Sequence, residues 1–475
     1  MVVYDCIVIG GGVSGCASSY YLSEYKMKVL VLERAKEVCE GTSKANSAIV
    51  HAGFDAAPGS LMAKLNVEGA ALIKKLSASL DFPYIQNGAF VICKHKEDFP
   101  SLQSLYERGL KNGVKDLRIV YKDELLKMEK NIQSDVYAAL YAPTSAIICP
   151  FKFNIALAEC AYRNGVKFAF ERKVEGIKKE DGIFHITTNN GDYYAKTVVN
   201  ACGVYADEIH NMVSSDKMTI TPRKGEYLLL DKSAHSLVSH TIFSLPTKMG
   251  KGILVTPTVH GNILLGPTAK DIDDKENTKT TTEGLNEVKE KCMVSVKDVP
   301  LDKVITSFAG LRAHLEKHDF VIEESKEVSG FVDCAGIESP GLTASPAIGK
   351  MVASIVNGIL GKEKKKHFIS KRTDIVDPRS LSLKDYKKLV KLDPAYGVIV
   401  CKCNKITLGE IRDAIHRPLG ATTFQGIKRR TTAAMGTCGG GFCMMDIMKI
   451  LDKETKVKRN LKSVQAKLQK IKGGE

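Results

Sequence analysis

Apolar and polar positions change period several times along the chain, and each change marks an element. Residues 4–10 hold the apolar, largely β-branched run Cys6, Ile7, Val8 and Ile9; glycines follow, 16–24 reads as a helix, and 29–32 is a second apolar run. Strand, turn, helix and strand in this order make a βαβ unit. Further strands are predicted at 89–93, 197–200, 227–230, 253–255 and 263–265, so the middle of the chain is sheet-rich. Helical periodicity appears at 60–80, 150–164 and 345–360. The last of these ends at Gly361, ahead of a charged run at 362–366 that opens a predicted linker, 362–395. Beyond it, 384–389 and 408–416 read as short helices, and 439–451 as three glycines continuing into a helix. There is no internal repeat and no low-complexity segment.

Composition fits this picture of several packed domains. With 475 residues, 44% hydrophobic and 26% charged, the chain is long enough for two or three cores, and disorder is excluded as the general state. No apolar run approaches the roughly 18 residues that a membrane span requires, and the N-terminus enters a strand at Asp5 without a targeting pattern. A soluble, cytoplasmic chain is therefore expected, with peripheral contact at a membrane left open. Thirteen cysteines point to a reducing compartment, where thiols pack, bind metal or react. Nine are scattered and expected in the core; the other four form two pairs.

The net charge of +15 is localised. Residues 362–475 hold 27 Lys and Arg against 11 Asp and Glu, which leaves 42 against 43 upstream. A basic module beside a neutral one suits an anionic membrane surface, an acidic redox partner, a partner subunit or simply a solvated lysine-rich face. Nucleic acid is not expected, because the module lacks an aromatic-rich basic stripe.

Gly10, Gly12 and Gly15, with Ser14 among them, form G-x-G-x-x-G between a predicted strand and helix. Such glycines let the backbone approach a pyrophosphate, and the helix N-terminus stabilises its charge. Glu33 lies 18 residues after Gly15, at the end of the second strand, where a carboxylate accepts from a ribose hydroxyl. The alternative for the glycines alone is a structural turn.

Three further segments decide which dinucleotide fits. Residues 41–53 (GTSKANSAIVHAG), 198–203 (VVNACG) and 336–346 (GIESPGLTASP) resemble the FAD-dependent oxidoreductases of the D-amino-acid oxidase and glycerol-3-phosphate dehydrogenase superfamily. The resemblance spans about residues 1–360. It implies an α/β fold, with a Rossmann-like FAD-binding domain at about 1–80, 145–215 and 330–361. An antiparallel-sheet substrate domain is implied at about 81–144 and 216–329. It also implies cofactor contacts at Gly10, Gly12, Ser14, Gly15, Glu33 and Arg34 near the pyrophosphate and ribose, and at Thr42, Ser43, Asn46 and Ser47 under the flavin ring. Val174 would hold the adenine through its backbone, Ala201 and Gly203 return the chain to the FAD domain, and Gly310, Ser339, Gly341, Leu342 and Thr343 complete the set.

Within the superfamily, residues 46–53 and 58–61 look most like the short bacterial type of glycerol-3-phosphate oxidase and like L-2-hydroxyglutarate dehydrogenase. Both would oxidise a secondary alcohol beside an anionic group, so a base must take the hydroxyl proton while hydride moves to the flavin. By this resemblance His51 is the base, Arg312 in 308–312 (FAGLR) anchors the substrate anion, and Lys251 is a second, weaker donor. Arg223 and Tyr227 are further candidates for the pocket wall. The expected reaction is oxidation of glycerol 3-phosphate to dihydroxyacetone phosphate, with oxygen, a quinone or a carrier protein as acceptor. L-2-hydroxyglutarate oxidation is the rival, and a redox-sensing flavoprotein without a small substrate is a second alternative.

The paired cysteines read Cys401-x-Cys403, 34 residues, then Cys438-x4-Cys443. Four thiolates suit an iron–sulfur cluster or zinc. Residues 396–452 resemble the bacterioferritin-associated ferredoxin module, a small helical domain holding a [2Fe–2S] cluster, and 426–432 and 435–443 look like the C-terminus of the anaerobic glycerol-3-phosphate dehydrogenase catalytic subunit. This favours [2Fe–2S] over zinc. Glycines 439–441 would let backbone amides approach the cluster sulfurs. The basic tail, 453–475, reads as a terminal helix, either solvated or lying on an anionic membrane surface.

Overall fold

The βαβ unit predicted at the N-terminus forms the middle of the first sheet in the computed structural model, which describes residues 2–245 and 252–456. Strand β1 (Val3–Ile9) leads through the glycine turn into helix α1 (Val13–Leu22) and then β2 (Val29–Glu33), which runs parallel to β1 with Ile7 opposite Leu30. Helix α2 (Leu61–Leu80) follows, capped by Ser60, whose side chain accepts from the Ala63 N–H. On the other flank of β1 lies β3 (Gly191–Asn200), again parallel. Two antiparallel strands, Val174–Glu180 and Ile183–Thr188, extend the sheet beyond β3, and Lys167–Phe170 closes the opposite edge. The eight-stranded sheet is thus mixed. The centre of β1 and all of β2 are buried, which is why they read as unbroken apolar runs rather than alternations.

A second sheet of nine strands is antiparallel except where Thr241–Ser244 pairs with Ala89–Cys93. Its long pair is β4 (Thr221–Leu230) with β5 (Val304–His314), in register with Arg223 opposite Arg312, Gly225 opposite Gly310 and Tyr227 opposite Phe308. Both faces are covered: Phe90 and Ile92 join one apolar cluster while Ala89, Val91 and Cys93 join another. The chain then returns to the first sheet through Val321–Glu324 and β6 (Phe331–Ala335), which lies parallel to β3.

Helix α3 (Gly341–Leu360) begins four residues earlier than its apolar period suggests and runs through Pro346. The proline lacks the N–H that would bond Leu342, and the Ser345 hydroxyl donates to the Leu342 carbonyl instead, at 3.0 Å. The charged run at 362–366 is not a free linker: the Lys26 N–H bonds the Glu363 carbonyl, the Lys365 N–H bonds the Glu24 carbonyl, and Lys26 pairs with the Glu363 carboxylate at 2.6 Å. A partner some 340 residues upstream turns a run of lysines into a docked edge.

A first compact unit ends at Phe368 and a second starts at Ile369. The rest of the expected linker belongs to the second unit, where a helix at Leu383–Leu392 packs through Leu389 against Val376 and Tyr396. A two-stranded ribbon, Ile399–Cys401 with Ile406–Thr407, precedes helices Leu408–His416, Phe424–Thr431 and Met444–Thr455 around a core of Ile406, Ile411, Ile427 and Ile447. The last helix starts at Met444 rather than at the glycines, because Gly439 and Gly440 adopt φ +58° and +97° in a turn. The tail beyond 456 lies outside the described residues. Among the described residues no helix is long and apolar enough to cross a membrane.

Candidate active site

A continuous cavity of about 1340 Å³ in the first unit runs from the carboxyl ends of β1 and β2 to the face of the second sheet that carries Arg223, Tyr227 and Arg312. This is where open α/β sheets place their ligands. At its first end the glycine turn is tightly built. Gly10 has φ +108°, and a Cβ there would meet the Ala201 carbonyl oxygen at 2.4 Å. Gly12, Val13 and Ser14 line the cavity where α1 begins, without a side-chain cap on Gly12, so the helix N-terminus faces the space an anion would use. Gly15 stands behind this wall, closing the approach of α1 to the Gly10 carbonyl. Glu33 lines the cavity and also holds the turn: its Oε2 accepts the Gly11 N–H at 2.6 Å and its Oε1 the Ala35 N–H at 2.8 Å. Burial pushes its pKa up against those two bonds. Arg34 packs over the Tyr205 ring and pairs with Glu276 at 2.9 Å, a contact that sequence reading missed.

The segment at 41–53 crosses the middle of the cavity. Thr42 donates to the Leu311 carbonyl at 2.6 Å, and the Ser43 hydroxyl accepts the Val13 N–H at 2.8 Å. Asn46 donates to the Thr42 and Ser43 carbonyls and accepts the Ala48 N–H, while Ser47 lies 3.4 Å from the Tyr227 hydroxyl. Gly310 lets β5 pass beneath this segment, since a Cβ there would lie 2.0 Å from the Ala45 carbonyl oxygen. Val174, Ala201, Gly203, Ser339, Gly341 and Leu342 all reach the wall. Thr343 does not: it is fully buried behind it, accepting the His51 N–H at 3.0 Å and donating to the Ile49 carbonyl at 3.2 Å.

That bond helps to fix His51. Asn66 donates to the His51 carbonyl at 3.2 Å, and the imidazole, 5.9 Å from the Phe243 ring, lines the cavity. Arg312 lines it too. Its Nη2 donates to the Thr268 carbonyl at 3.2 Å, whereas its Nη1 is buried without a hydrogen-bond partner. Opposite, Arg223 is held by both oxygens of Asp271 at 2.6 and 3.0 Å, which raises the pKa of the guanidinium and lowers that of the carboxyl. One arginine is paired with a carboxylate and the other has none among the described residues, which suits the binding of an anion at Arg312. Gly225 makes room for it, because a Cβ there would stand 2.7 Å from Arg312 Nη2. Lys251 lies outside the described residues. Thr268, Asp271 and Gly225 carry no local sequence signal; pairing of β4 with β5 and with Lys270–Asp271 brings them to this wall.

In the second unit Cys401 ends the ribbon strand, Cys438 and Cys443 flank the glycine turn, and Cys403 is exposed. The Cys403 and Cys438 sulfurs lie 3.4 Å apart, and the Cys401 thiol contacts Cys443. Backbone N–H of Gly440, the Cys403 thiol and the N–H groups of Phe442 and Gly441 hold the Cys438 pKa below its ordinary value. Amides aimed at a thiolate, with three more sulfurs beside it, fit the donor set of an iron–sulfur cluster. Of the other nine cysteines eight are buried and Cys202 is half-buried at the cavity wall.

Residues 5–355 match the FAD dependent oxidoreductase family, and residues 399–453 match the BFD-like [2Fe-2S] binding domain. The chain is 47% identical to a glycerol 3-phosphate dehydrogenase of Caloramator mitchellensis, over 95% of this chain and 94% of that protein. The FAD-bound, dithionite-reduced L-alpha-glycerophosphate oxidase of Mycoplasma pneumoniae superposes with a TM-score of 0.75 at 32% identity, covering 78% of this chain and 99% of that one. The mitochondrial L-2-hydroxyglutarate dehydrogenase of Bos taurus is 28% identical over 74% of this chain and 88% of its own length. Glycine-turn geometry, a cavity shaped for an extended dinucleotide and these matches agree, and the chain belongs to the FAD dependent oxidoreductase family, with a C-terminal [2Fe–2S] domain.

Proposed function

We propose that the protein oxidises glycerol 3-phosphate to dihydroxyacetone phosphate. The observation that carries this reading is Arg312, a cation that lines the same cavity as His51 and has no carboxylate partner among the described residues. The 47% identity to a glycerol 3-phosphate dehydrogenase supports the substrate. FAD would be held along Gly10 to Ser14, Glu33, residues 42–47 and the 339–342 loop, and when bound it supplies the acceptor for the hydride of the secondary alcohol. Arg312 binds the phosphate, with Lys251 as a second donor. His51 takes the hydroxyl proton on its imidazole, and Thr343 and Asn66 keep its backbone in place. The electrons leave to oxygen or, through the cluster domain, to a quinone or carrier protein. Exposure of Cys403, with Phe442 85% and Met445 64% exposed beside Cys443, supports the carrier route. A cytoplasmic location follows from that reading, with the basic C-terminal region as the surface for an acidic partner or an anionic membrane.

Anaerobic titration of the purified protein with glycerol 3-phosphate, with L-2-hydroxyglutarate in parallel, tests the substrate. Bleaching of the flavin band by the phosphate is expected. Bleaching by the hydroxy acid alone moves the assignment to the rival, and bleaching by neither removes both. His51→Ala should keep its FAD and lose flavin reduction; unchanged single-turnover kinetics would remove His51 as the base.

A further inference from the structure

The cavity wall carries a cluster that this reaction does not use. His314 ends β5, two residues beyond Arg312 and on the same face of the strand. His318 stands on the loop that follows, Glu338 on the loop after β6, and all three line the cavity. The Nδ1 atoms of His314 and His318 lie 3.1 and 2.8 Å from one oxygen, Glu338 Oε1, and the three ligand-type atoms fall within 4.8 Å of one another. Two ligand atoms of a tetrahedral metal, each about 2.1 Å from it, are separated by about 3.4 Å. The spacings of 3.1 and 2.8 Å, with all three atoms within 4.8 Å, leave only a small adjustment for the set to close on an ion.

Both loops are positioned by contacts outside the cluster. Asp319, next to His318, accepts the Leu61 and Met62 N–H groups at the start of α2, at 3.0 and 2.8 Å. Gly336 packs against Leu315, with room too small for a Cβ, which holds the two loops together. The Glu338 side chain is only 6% exposed while that of His318 is 65% exposed, so a buried carboxylate faces a path from solvent. The facing charges are Arg223, already paired with Asp271, and Arg312. Two imidazoles and a carboxylate suit borderline divalent ions, and three protein ligands leave positions open to the cavity.

We propose that His314, His318 and Glu338 form a binding site for a divalent transition metal of the zinc class at the rim of the cavity. The proposal stands on these three residues and is independent of the substrate assignment.

The test is equilibrium dialysis of the full chain, loaded with FAD and cluster, against buffered Zn2+, followed by metal analysis for zinc and iron. Wild type is expected to retain one zinc per chain more than His318→Asn and Glu338→Gln, whose zinc affinity should fall at least tenfold, with iron content equal in all three. Asparagine suits position 318 because His318 has φ +50°, a conformation asparagine tolerates. Flavin absorbance per chain reports whether each variant is folded, and the His318 variant decides if the Glu338 variant is not. Equal zinc retention by wild type and His318→Asn, or none by either, overturns the proposal; flavin bleaching by substrate is unaffected by that result.

Discussion

Arg312 keeps a buried donor unmatched while Arg223, directly opposite, is paired through Nε and Nη2 with Asp271. Leaving such a donor unpaired costs about 1–3 kcal/mol, and Arg312 lines the cavity where the substrate anion would bind. Arg312→Lys keeps the charge but loses the fork, so kcat/KM for glycerol 3-phosphate should fall about 100-fold, with flavin content unchanged. Gly225→Ala tests the same site indirectly. Its Cβ pushes on Arg312 Nη2 from 2.7 Å, so KM should rise while FAD stays bound; steady-state kinetics at saturating acceptor separates the two parameters. Arg312 was readable in the sequence because its strand motif resembles a family pattern. Its neighbours were not, since Thr268, Asp271 and Gly225 meet it only through strand pairing, and local pattern carries no register between strands 40 to 90 residues apart.

Element by element, apolar period located the strands well where burial is continuous, as in β1 and at Ala89–Cys93, and failed where long-range partners override local character. Pro346 hid the start of α3, and the lysines at 362–366 hid an edge that pairs with residues 24–26. Two residues in the first turns of helices yield predictions. Thr343→Val leaves the His51 N–H and the Ile49 carbonyl unmatched in the interior, at about 2 kcal/mol, and frees the His51 backbone. Urea unfolding should show that loss, and single-turnover flavin reduction should slow more than FAD affinity changes. In the second unit Glu410 closes a capping box with Thr407, and burial pushes its pKa up to about 7 despite Arg379 at 3.6 Å. A carboxyl whose folded value exceeds its unfolded one favours folding most while both states are protonated. The second unit should therefore be most stable below about pH 4.5 as far as this group is concerned, and lose up to about 3 kcal/mol as pH rises to 7. Glu410→Gln removes that slope, measured by guanidinium unfolding of the full chain at pH 5 and pH 8.

At the scale of the whole molecule, the first unit has its own sheets, its own cores and the entire dinucleotide cavity, all within Met1–Phe368. The Mycoplasma oxidase structure, matched over 99% of its length by 78% of this chain, binds FAD without a counterpart to the rest. Residues 1–368 alone should therefore retain FAD and bleach anaerobically with glycerol 3-phosphate at the rate of the full chain. The basic excess belongs to 362–475, beside the cluster cysteines, and under the proposed function the second unit delivers electrons to an acceptor. Turnover of the full chain with an acidic carrier protein should fall as ionic strength rises through a Debye length of about 10 Å at 0.1 M, whereas substrate bleaching should not. A Cys403→Ser, Cys438→Ser double variant should reproduce the truncated protein: flavin reduced normally, carrier reduction lost. If that variant instead reduces the carrier at the wild-type rate, the flavin hands over its electrons directly and the cluster domain serves another purpose.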